Sequence, residues 1–571
     1  MAEQNHKESQ AQSNKGRLQS KVQKRNRIVV IGGALSGPTA AARARESDES
    51  AEIILIEQNK RVSYALANLS LYLTGEVKSI DELNQEREDF FKNNYAIDVR
   101  TRIRVIGLDL KKKTLKIEND PNHEVSVIAF DKLIFTAGAA SVLPKGLSGT
   151  PSNFGMFRTL DDVSMIRSVL ESGRRRFVIL GGGSMAAEAM DGLVRAGAQV
   201  TVIEEKNQFL PDYSKEIVRL FLKSKSKSVD IVTSVNDLRF DCSEDKIKAV
   251  IANGRRIETD YVVSAIGISP RTDLLKKAGI TLLADGSIPV NRHCQTSHKH
   301  VYAAGVCVAV KDAFGDHRFI AQAALADKTA QVAAVNASNV AKHKISLPAV
   351  SASQLIRLPD LEIGRVGLTY KQAIQKYGKK NIDSSFVVGR DVEPYLKSQP
   401  MVVKIFYHTK TQRLVGIEVA GQNIKSRIDA SAVAIAAKQK LSDLALIDLS
   451  YTTAIGTARD ALNAAAMVGL QKIGGIASSV PFNEIIARRK DYLILHVSAK
   501  PTVARSEYDL HIPLESLRQR LHEVQDSLAS SSAKMIATLS ATGRRGHLAY
   551  RILRDAQFKV INISGGEYVI D

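Results

Sequence analysis

Residues 28–37 read Ile-Val-Val-Ile-Gly-Gly-Ala-Leu-Ser-Gly, an apolar strand that runs directly into a glycine-rich turn and the start of a helix. Glu57 closes the next apolar strand, about twenty residues further on, as in dinucleotide-binding units. Glycine lets the backbone approach a pyrophosphate, the following helix presents free amides to its charge, and the acid accepts a hydrogen bond from a ribose hydroxyl. The residues predicted to bind this nucleotide are Gly32, Gly33, Ala34, Gly37 and Glu57.

A second unit of the same kind lies further along the chain. The strand Phe-Val-Ile-Leu at 177–180 leads into Gly-Gly-Gly-Ser-Met-Ala at 181–186, and Glu204 closes the strand that follows. We interpret both stretches as nucleotide sites; the alternative is a pair of tight glycine turns without a ligand. An acid at this position pairs with a free ribose 2′-hydroxyl, so Glu204 favours NADH, while the neighbouring Lys206 leaves NADPH open.

The length and composition limit the class of protein. At 571 residues the chain is too long for one core and is expected to form about three to four domains. It contains no apolar run of about 18 residues and no signal-peptide pattern, which predicts a soluble, cytoplasmic protein without a transmembrane segment. The cysteines Cys242, Cys294 and Cys307 form no metal-ligand spacing, so we predict reduced structural thiols and no metal site.

The formal charge of +20 is the unusual feature of the composition. Residues 1–26 contain six lysines and arginines among polar residues and too few apolar residues to fold, which predicts a disordered basic tail. Two interpretations remain open: a solvated tail, which we favour, and an arm that binds an acidic partner such as nucleic acid or an anionic membrane surface.

Strands and helices alternate after the tail, as in layered folds with parallel sheets. The second glycine turn interrupts the first unit, so the first domain is predicted to be split around an insertion. Apolar and polar residues then alternate before an alanine-rich helix, which predicts an antiparallel sheet covered by helices. The predicted boundaries are 27–150 and 271–346 for the first domain, 151–270 for the inserted domain, 347–470 for the third domain and 471–571 for a final module.

This order of motifs resembles the pyridine nucleotide-disulfide oxidoreductases, and most closely the coenzyme A disulfide reductases with a C-terminal rhodanese domain. The resemblance implies an α/β fold with two Rossmann-like dinucleotide-binding domains, an α+β dimerisation domain and a rhodanese-like α/β domain. It implies FAD in the first unit, NADH or NADPH in the inserted unit, and a homodimer. It also adds cofactor-binding residues, which together with Gly267 at the return to the first domain are Val105, Gly138, Glu188, Gly305 and Val306.

The chain departs from the family pattern beside the flavin. Ala67 stands where the family has its redox cysteine, and an alanine methyl cannot act as a thiolate nucleophile. Val306 stands where the family has an aspartate, which removes a hydrogen bond worth roughly 1.5 to 3 kcal/mol. Tyr451 and, more loosely, Tyr395 match two substrate-site tyrosines that the partner subunit supplies in the family; either can equally pack at a dimer interface.

The final module departs from the family in the same way. Its loop, residues 540–545, begins with Ser540 where the rhodanese loop begins with a sulfur-carrying cysteine. Inward-pointing amides with Ser540, Gly543 and Arg545 can still bind an anion; the alternative is a loop without a function. No acid or nucleophile is identifiable beside His496 in the sequence, so we predict a structural role for it.

Two functional hypotheses follow from these patterns. The first is an FAD-dependent NAD(P)H oxidoreductase that transfers electrons to a small acceptor other than a disulfide, such as oxygen or a quinone. The second is a catalytically inactive pseudoenzyme that acts as a nucleotide-binding sensor or scaffold. The two nucleotide units favour the first; the missing cysteines favour the second.

Overall fold

The computed structural model describes residues 25–64, 69–83, 87–147, 149–224, 226–338, 344–358 and 361–570. Residues 1–24 of the predicted tail and Ala67 lie outside these described residues. The predicted tail boundary at residue 26 is wrong, because Asn26 is only 7% exposed and its carbonyl accepts the Glu52 N–H at 3.0 Å. The folded chain therefore includes Asn26.

The helices and strands are numbered along the chain. Residues 27–141 contain β1 Arg27–Ile31, α1 Ser36–Ser47, β2 Glu52–Ile56, α2 Leu69–Thr74, α3 Glu88–Tyr95, β3 Asp98–Arg100, β4 Ile103–Asp109, β5 Thr114–Asn119, β6 Val125–Ala129, β7 Lys132–Phe135 and β8 Ala139–Ser141. Residues 154–264 contain β9 Phe154–Met156, α4 Leu160–Glu171, β10 Arg176–Leu180, α5 Ser184–Arg195, β11 Gln199–Ile203, α6 Lys215–Ser224, β12 Val229–Val232, β13 Leu238–Ser243, β14 Lys246–Ala252, β15 Arg255–Glu258 and β16 Tyr261–Ser264. Residues 268–337 contain β17 Ile268–Pro270, α7 Asp273–Lys277, β18 Ile288–Pro289, β19 Val301–Ala303, β20 Val308–Lys311, β21 His317–Phe319 and α8 Ala323–Ala337.

The remaining elements belong to the last two parts of the chain. Residues 354–473 contain β22 Gln354–Arg357, β23 Glu362–Gly367, α9 Tyr370–Tyr377, β24 Ile382–Arg390, β25 Pro400–His408, β26 Leu414–Gly421, α10 Lys425–Ala436, α11 Leu441–Leu446 and α12 Ala461–Ile473. Residues 479–563 contain β27 Ser479–Val480, α13 Phe482–Ile486, β28 Tyr492–His496, β29 Leu510–His511, α14 Leu521–Ala529, β30 Met535–Leu539, α15 Arg544–Asp555 and β31 Val560–Ile563, followed by a 3-10 helix, Gly566–Val569.

The first domain is built on a parallel sheet with the order β19-β7-β1-β2-β3. In the central strand, Ile28 and Val30 pack into one core cluster and Val29 and Ile31 into another, so both faces of the strand are covered. A strand that is buried on both faces needs a continuous apolar run, which is what this strand has. Because β19 pairs with β7, the chain returns to this sheet after the insertion.

The inserted domain repeats this architecture with the order β12-β11-β10-β16-β9, all parallel. An antiparallel sheet, β22-β23-β26-β25-β24, forms the third domain, and helices cover it. The final domain has the parallel order β27-β31-β30-β28-β29. The predicted mixed α/β fold is therefore confirmed.

Buried charges join the inserted domain to the third domain. Lys404 Nζ on β25 lies 2.9 Å from Glu216 Oε2 on α6, and both side chains are largely buried. Glu418 pairs with Lys404 across β25 and β26, and its carboxylate accepts the Ser214 N–H at 2.9 Å. Burial raises the pKa of Glu418, whereas Lys404 opposes that rise.

Among the described residues, no helix is both long and apolar enough to cross a membrane.

Lys404→Met is expected to lower the free energy of unfolding by about 3 kcal/mol, because it leaves two carboxylates buried without their cation. Urea titration followed by circular dichroism measures this loss. Lys425→Met is the control: Lys425 pairs with Asp429 on an exposed helix face, and its loss should cost less than about 1 kcal/mol. Equal stability of the two variants would contradict the importance of the buried pair.

Candidate functional site

The first glycine turn joins β1 to α1 with no room for side chains at two positions. Gly32 has a φ of +106°, and a Cβ there would lie 2.4 Å from the carbonyl oxygen of Thr136. A Cβ on Gly37 would lie 1.7 Å from the carbonyl oxygen of Gly32. These contacts bring the start of α1 against the end of β7, which is the close packing that a pyrophosphate-binding turn requires.

Glu57, directly after β2, closes this turn. Its Oε2 accepts the Gly33 N–H at 2.5 Å, and its Oε1 accepts both the backbone N–H and the side-chain amide of Asn59 at 2.7 Å. The carboxylate is nearly buried but fully hydrogen-bonded. Among the described residues, Oε2 accepts only the Gly33 N–H, so it can still receive a ribose hydroxyl.

The second turn has the same construction. Gly181 has a φ of +98°, and a Cβ there would lie 2.6 Å from the Ala265 carbonyl oxygen. Glu204 Oε2 accepts the Gly182 N–H at 2.5 Å, and its Oε1 accepts the Lys206 N–H at 2.8 Å. Sequence reasoning did not single out Gly182, although the equivalent Gly33 was predicted.

Two other predicted residues of this unit lie on either side of the start of α5. Gly183 precedes the first residue of the helix, and a Cβ there would have no atom within 4 Å. Ala186 lies in the first turn and is fully buried, as a small residue must be where a helix approaches its sheet. Because there is open space at Gly183, the unpaired N–H groups at the start of α5 remain accessible. The close packing of Ala186 holds the helix against its sheet.

The loops of the first domain converge on the start of α1. The Gly305 N–H donates to Thr329 Oγ1 at 3.0 Å, and a Cβ on Gly305 would lie 2.6 Å from Ser36 Oγ. A Cβ on Gly138 would lie 3.7 Å from Val306 Cγ2, so these two predicted residues are neighbours. The structure thus brings Gly138, Gly305 and Val306 together beside the first turn.

Val105 and Gly267 lie at the edges of this region. Val105 is half-buried on β4, and Ile103, the first residue of that strand, donates its N–H to the Glu57 carbonyl at 3.0 Å. The Gly267 carbonyl accepts the Val142 N–H at 3.0 Å, next to the β8–β17 pair. Neither residue contacts a glycine turn through a hydrogen bond among the described residues.

The two dinucleotide units meet where α2 packs against α5. A Cβ on Gly192 would lie 3.1 Å from Ser70 Cβ, so a larger residue here would have to move α2 outward by a few tenths of an ångström. Glu188 lies one turn before Gly192 on the same face of α5. Burial raises the pKa of Glu188 to about 7.

Two arginines near this junction were missed in the sequence. Burial and the neighbouring Arg271 both lower the pKa of Arg158. Burial raises the pKa of Tyr64 to about 12; Glu57 acts in the same direction, and Arg271 and Arg158 oppose it. Within the described part of the chain, neither guanidinium group forms an ion pair, so both can face an anionic ligand. No sequence motif marks them, because they follow strands of two different sheets.

The two buried cysteines carry thiols that stay protonated. Cys294 and Cys307 are fully buried, and burial raises the pKa of each thiol to about 12, so both stay protonated at neutral pH. Cys242 is exposed on β13 of the inserted domain.

The predicted anion loop contains a buried serine and an ion-paired arginine. Ser540 is fully buried, and its Oγ accepts the Gly546 N–H at 3.0 Å. Arg545 Nη1 lies 3.0 Å from Glu515 Oε1. The Arg545 guanidinium therefore already has a carboxylate partner, and anion binding by Ser540, Gly543 and Arg545 stays a prediction.

His496 has an acidic neighbour that the sequence did not reveal. Its Nε2 hydrogen-bonds to Glu567 Oε1, 71 residues away in the chain. Glu567 Oε2 also accepts the N–H and the hydroxyl of Thr502, and its own N–H donates to the Ser540 carbonyl at 2.9 Å. The expectation that no acid lies beside His496 is therefore wrong. Both side chains are buried, and the hydrogen bond from the Glu567 N–H to the Ser540 carbonyl joins the pair to the loop.

Tyr395 and Tyr451 are brought together by the third domain. Both side chains are exposed, and Tyr451 interacts with Glu393 and Tyr395. Glu393 also accepts the Ala458 N–H at 3.2 Å, so one carboxylate connects the segments on which the two tyrosines lie.

Comparison with known proteins gives consistent matches. Residues 26–334 match the family model of pyridine nucleotide-disulphide oxidoreductases, and residues 356–451 match the model of their dimerisation domain. An NADH oxidase of Methanocaldococcus jannaschii is 27% identical over 455 residues, which are 78% of this chain and 99% of that protein. The structure of an NAD-dependent persulfide reductase from A. fulgidus is 27% identical, with a TM-score of 0.88, and the match covers 95% of this chain and all of that one. The reduced CoADR-RHD protein of Bacillus anthracis is 26% identical, with a TM-score of 0.85, over 95% of this chain and 97% of that one.

Gly183→Asp is expected to weaken NADH binding about tenfold or more without unfolding the chain. The side chain has space, but its carboxylate would repel phosphate at the start of α5. Quenching of NADH fluorescence measures the affinity, and circular dichroism checks the fold. Gly183→Asn, which has the same shape without the charge, should bind NADH much more tightly than Gly183→Asp; equal weakening would contradict the electrostatic argument.

Glu188→Gln is expected to stabilise the protein at pH 8 by up to about 3 kcal/mol and to have little effect at pH 4. Folded Glu188 holds its proton to about pH 7, whereas an unfolded glutamate loses it near 4.5. The folded state therefore binds more protons in this interval, and stability falls as the pH rises. Thermal unfolding of both proteins at the two pH values measures the difference; a constant difference would contradict the raised pKa.

Proposed function

The chain belongs to the pyridine nucleotide-disulphide oxidoreductase family, and we propose that it is an NAD(P)H oxidoreductase that passes electrons through FAD to an acceptor other than a disulfide. The observation that carries this proposal is the pair of glycine turns, each closed by its own carboxylate, in two domains that pack together through α2 and α5.

The first unit has the features that FAD binding needs. Its glycines lie where a Cβ would collide with backbone, Glu57 keeps free acceptor capacity, and the loops of Gly138 and Gly305 lie beside the same turn. Val306 offers a methyl group where a carboxylate would accept a hydrogen bond, which lowers the expected affinity roughly tenfold. Bound FAD would supply the hydride-accepting and electron-donating chemistry.

The inserted unit would hold the nicotinamide nucleotide. The amides at the start of α5 would bind its pyrophosphate, and Glu204, which already accepts the Gly182 N–H, would accept a ribose hydroxyl. Glu204 favours NADH as the bound nucleotide, while the neighbouring Lys206 leaves NADPH as the alternative. Arg158 and Arg271 add positive charge at the junction of the units, which suits nucleotide phosphates or an anionic acceptor.

Disulfide reduction and sulfur transfer are not part of the proposal. Ala67 cannot form a mixed disulfide, and the two buried thiols remain protonated. We propose a rhodanese-like origin for the last domain, supported by the match of nearly the whole chain to the two multidomain structures. A buried serine oxygen at position 540 cannot carry sulfane sulfur.

The absorbance spectrum of the purified chain, with and without added FAD, tests the function, followed by anaerobic titration with NADH and NADPH. Flavin bands that bleach on titration support the oxidoreductase, and Gly183→Asp should prevent the bleaching by NADH. A colourless protein that remains colourless with FAD would refute it. That result favours the pseudoenzyme, for which the absence of both cysteines is the supporting observation.

We also propose a homodimer formed through the third domain, which matches the family's dimerisation model. Its surface exposes large apolar side chains, including Leu446 at 80% and Ile455 at 69%, close to the segment of Tyr451. Such side chains are typical of a surface that another subunit covers.

Leu446→Asp combined with Ile455→Asp is expected to convert the dimer to a monomer, because two charges would be buried in the interface. Sedimentation velocity measures the mass. Leu548→Asp, at an exposed apolar position of the last domain, is the matched control and should leave the dimer intact. A doubly substituted chain that still sediments as a dimer would place the interface elsewhere.

A further inference from the structure

A large cleft separates the third domain from the last domain. Its volume is about 1180 Å³, and it is lined on one side by β24 and α12 and on the other by the 540–545 loop and α15. Organic ligands occupy cavities of roughly 300 to 1,000 Å³, which lie preferentially at domain interfaces. The cleft therefore has the size and the position of a ligand site, away from both glycine turns.

Positive charge predominates in this cleft. Arg390, Arg459 and Arg544 line it, against one carboxylate, Glu393. The Glu393 carboxylate already accepts the Ala458 N–H, and Arg390 donates to Ser398 Oγ at 2.7 Å. In the described residues, the side chains of Arg459 and Arg544 have neither an ion-pair partner nor a hydrogen bond. Two guanidinium groups, one from each domain, are thus available to an anion.

The rest of the lining is apolar or neutral. Val388, Met467 and Val468 supply an apolar wall from the third domain, and His547 faces them from the last domain. Burial and the neighbouring Arg551 lower the pKa of His547, so its imidazole is neutral at pH 7 and adds a hydrogen-bonding group without further charge. A ligand that fits this lining combines an anionic group with an apolar body.

Phosphate is the anion that two separate guanidinium groups match best. One guanidinium fork engages the two oxygens of a carboxylate, whereas a phosphate monoester presents three oxygens that two forks can share. We propose that the cleft binds an organic phosphate, with its phosphate on Arg459 and Arg544 and its apolar part against Val388 and Met467. Ser540 is buried behind the loop and does not line the cleft, and the proposal is for reversible binding without covalent chemistry.

Binding in this cleft would tie the two domains together. Arg459 precedes α12 of the third domain, and Arg544 is the first residue of α15 in the last domain. Only residues 474–478 connect α12 to β27. This binding is independent of the proposed electron transfer, since the cleft shares no residue with either dinucleotide unit.

Isothermal titration of the full chain with 1-naphthyl phosphate, at saturating FAD and NADH, tests the proposal. One probe per chain is expected, with binding weakened about tenfold or more by Arg459→Gln and by Arg544→Gln, because each change removes a charge-assisted contact. Arg518→Gln, an exposed arginine of the last domain outside the cleft, should bind the probe as the unaltered chain does.

Three results would overturn the proposal. They are the absence of binding at millimolar probe, binding that survives both arginine substitutions, and equal binding of uncharged 1-naphthol. Circular dichroism and retained NADH binding establish that both variants are folded. Because these readouts require no electron transfer, a failure here is distinguishable from a failure of the oxidoreductase proposal.

Discussion

In each dinucleotide unit, a carboxylate accepts a hydrogen bond from a backbone N–H of the glycine turn, and this contact determines the shape of the unit. Glu57 Oε2 accepts the Gly33 N–H and Glu204 Oε2 accepts the Gly182 N–H, each at 2.5 Å. Burying a carboxylate without hydrogen-bond donors would cost free energy. The hydrogen bond therefore holds the carboxylate, at the end of the second strand of each unit, against the glycine turn that follows the first strand. The free amides at the start of the next helix are consequently directed outward, where a pyrophosphate can reach them.

The two units are joined at the α2–α5 junction by small residues and by charged contacts, among them the ion pair of Arg195 with Glu76. Gly192 on α5 allows α2 to approach closely, and α2 follows the segment that contains Ala67. This packing places Glu188 in surroundings where its proton is retained near neutral pH. The same junction contains Arg158 and Arg271, whose positive charges are not compensated by ion pairs in the described chain. The junction therefore combines a carboxyl group that keeps its proton with two positive charges.

The last domain holds its 540–545 loop in place through buried polar contacts. Ser540 is a fully buried hydrogen-bond acceptor within the loop, and the His496–Glu567 pair supports the loop from the core. Arg545 pairs with Glu515, whereas Arg459 and Arg544, which line the cleft that faces the third domain, have no ion pair or side-chain hydrogen bond among the described residues.

The sequence alone determined the features that depend on neighbouring residues. A positive φ at Gly32 and Gly181 and the continuous apolar runs of β1 and β10 are local constraints, so the glycine turns and the parallel sheets were predictable. Only the tertiary structure decided which distant groups meet. The pairing of Lys404 with Glu216, the contact of His496 with Glu567 and the cleft between Arg459 and Arg544 join residues far apart in the chain. Their distances depend on how whole sheets and helices pack, and no local pattern of residue types encodes that packing.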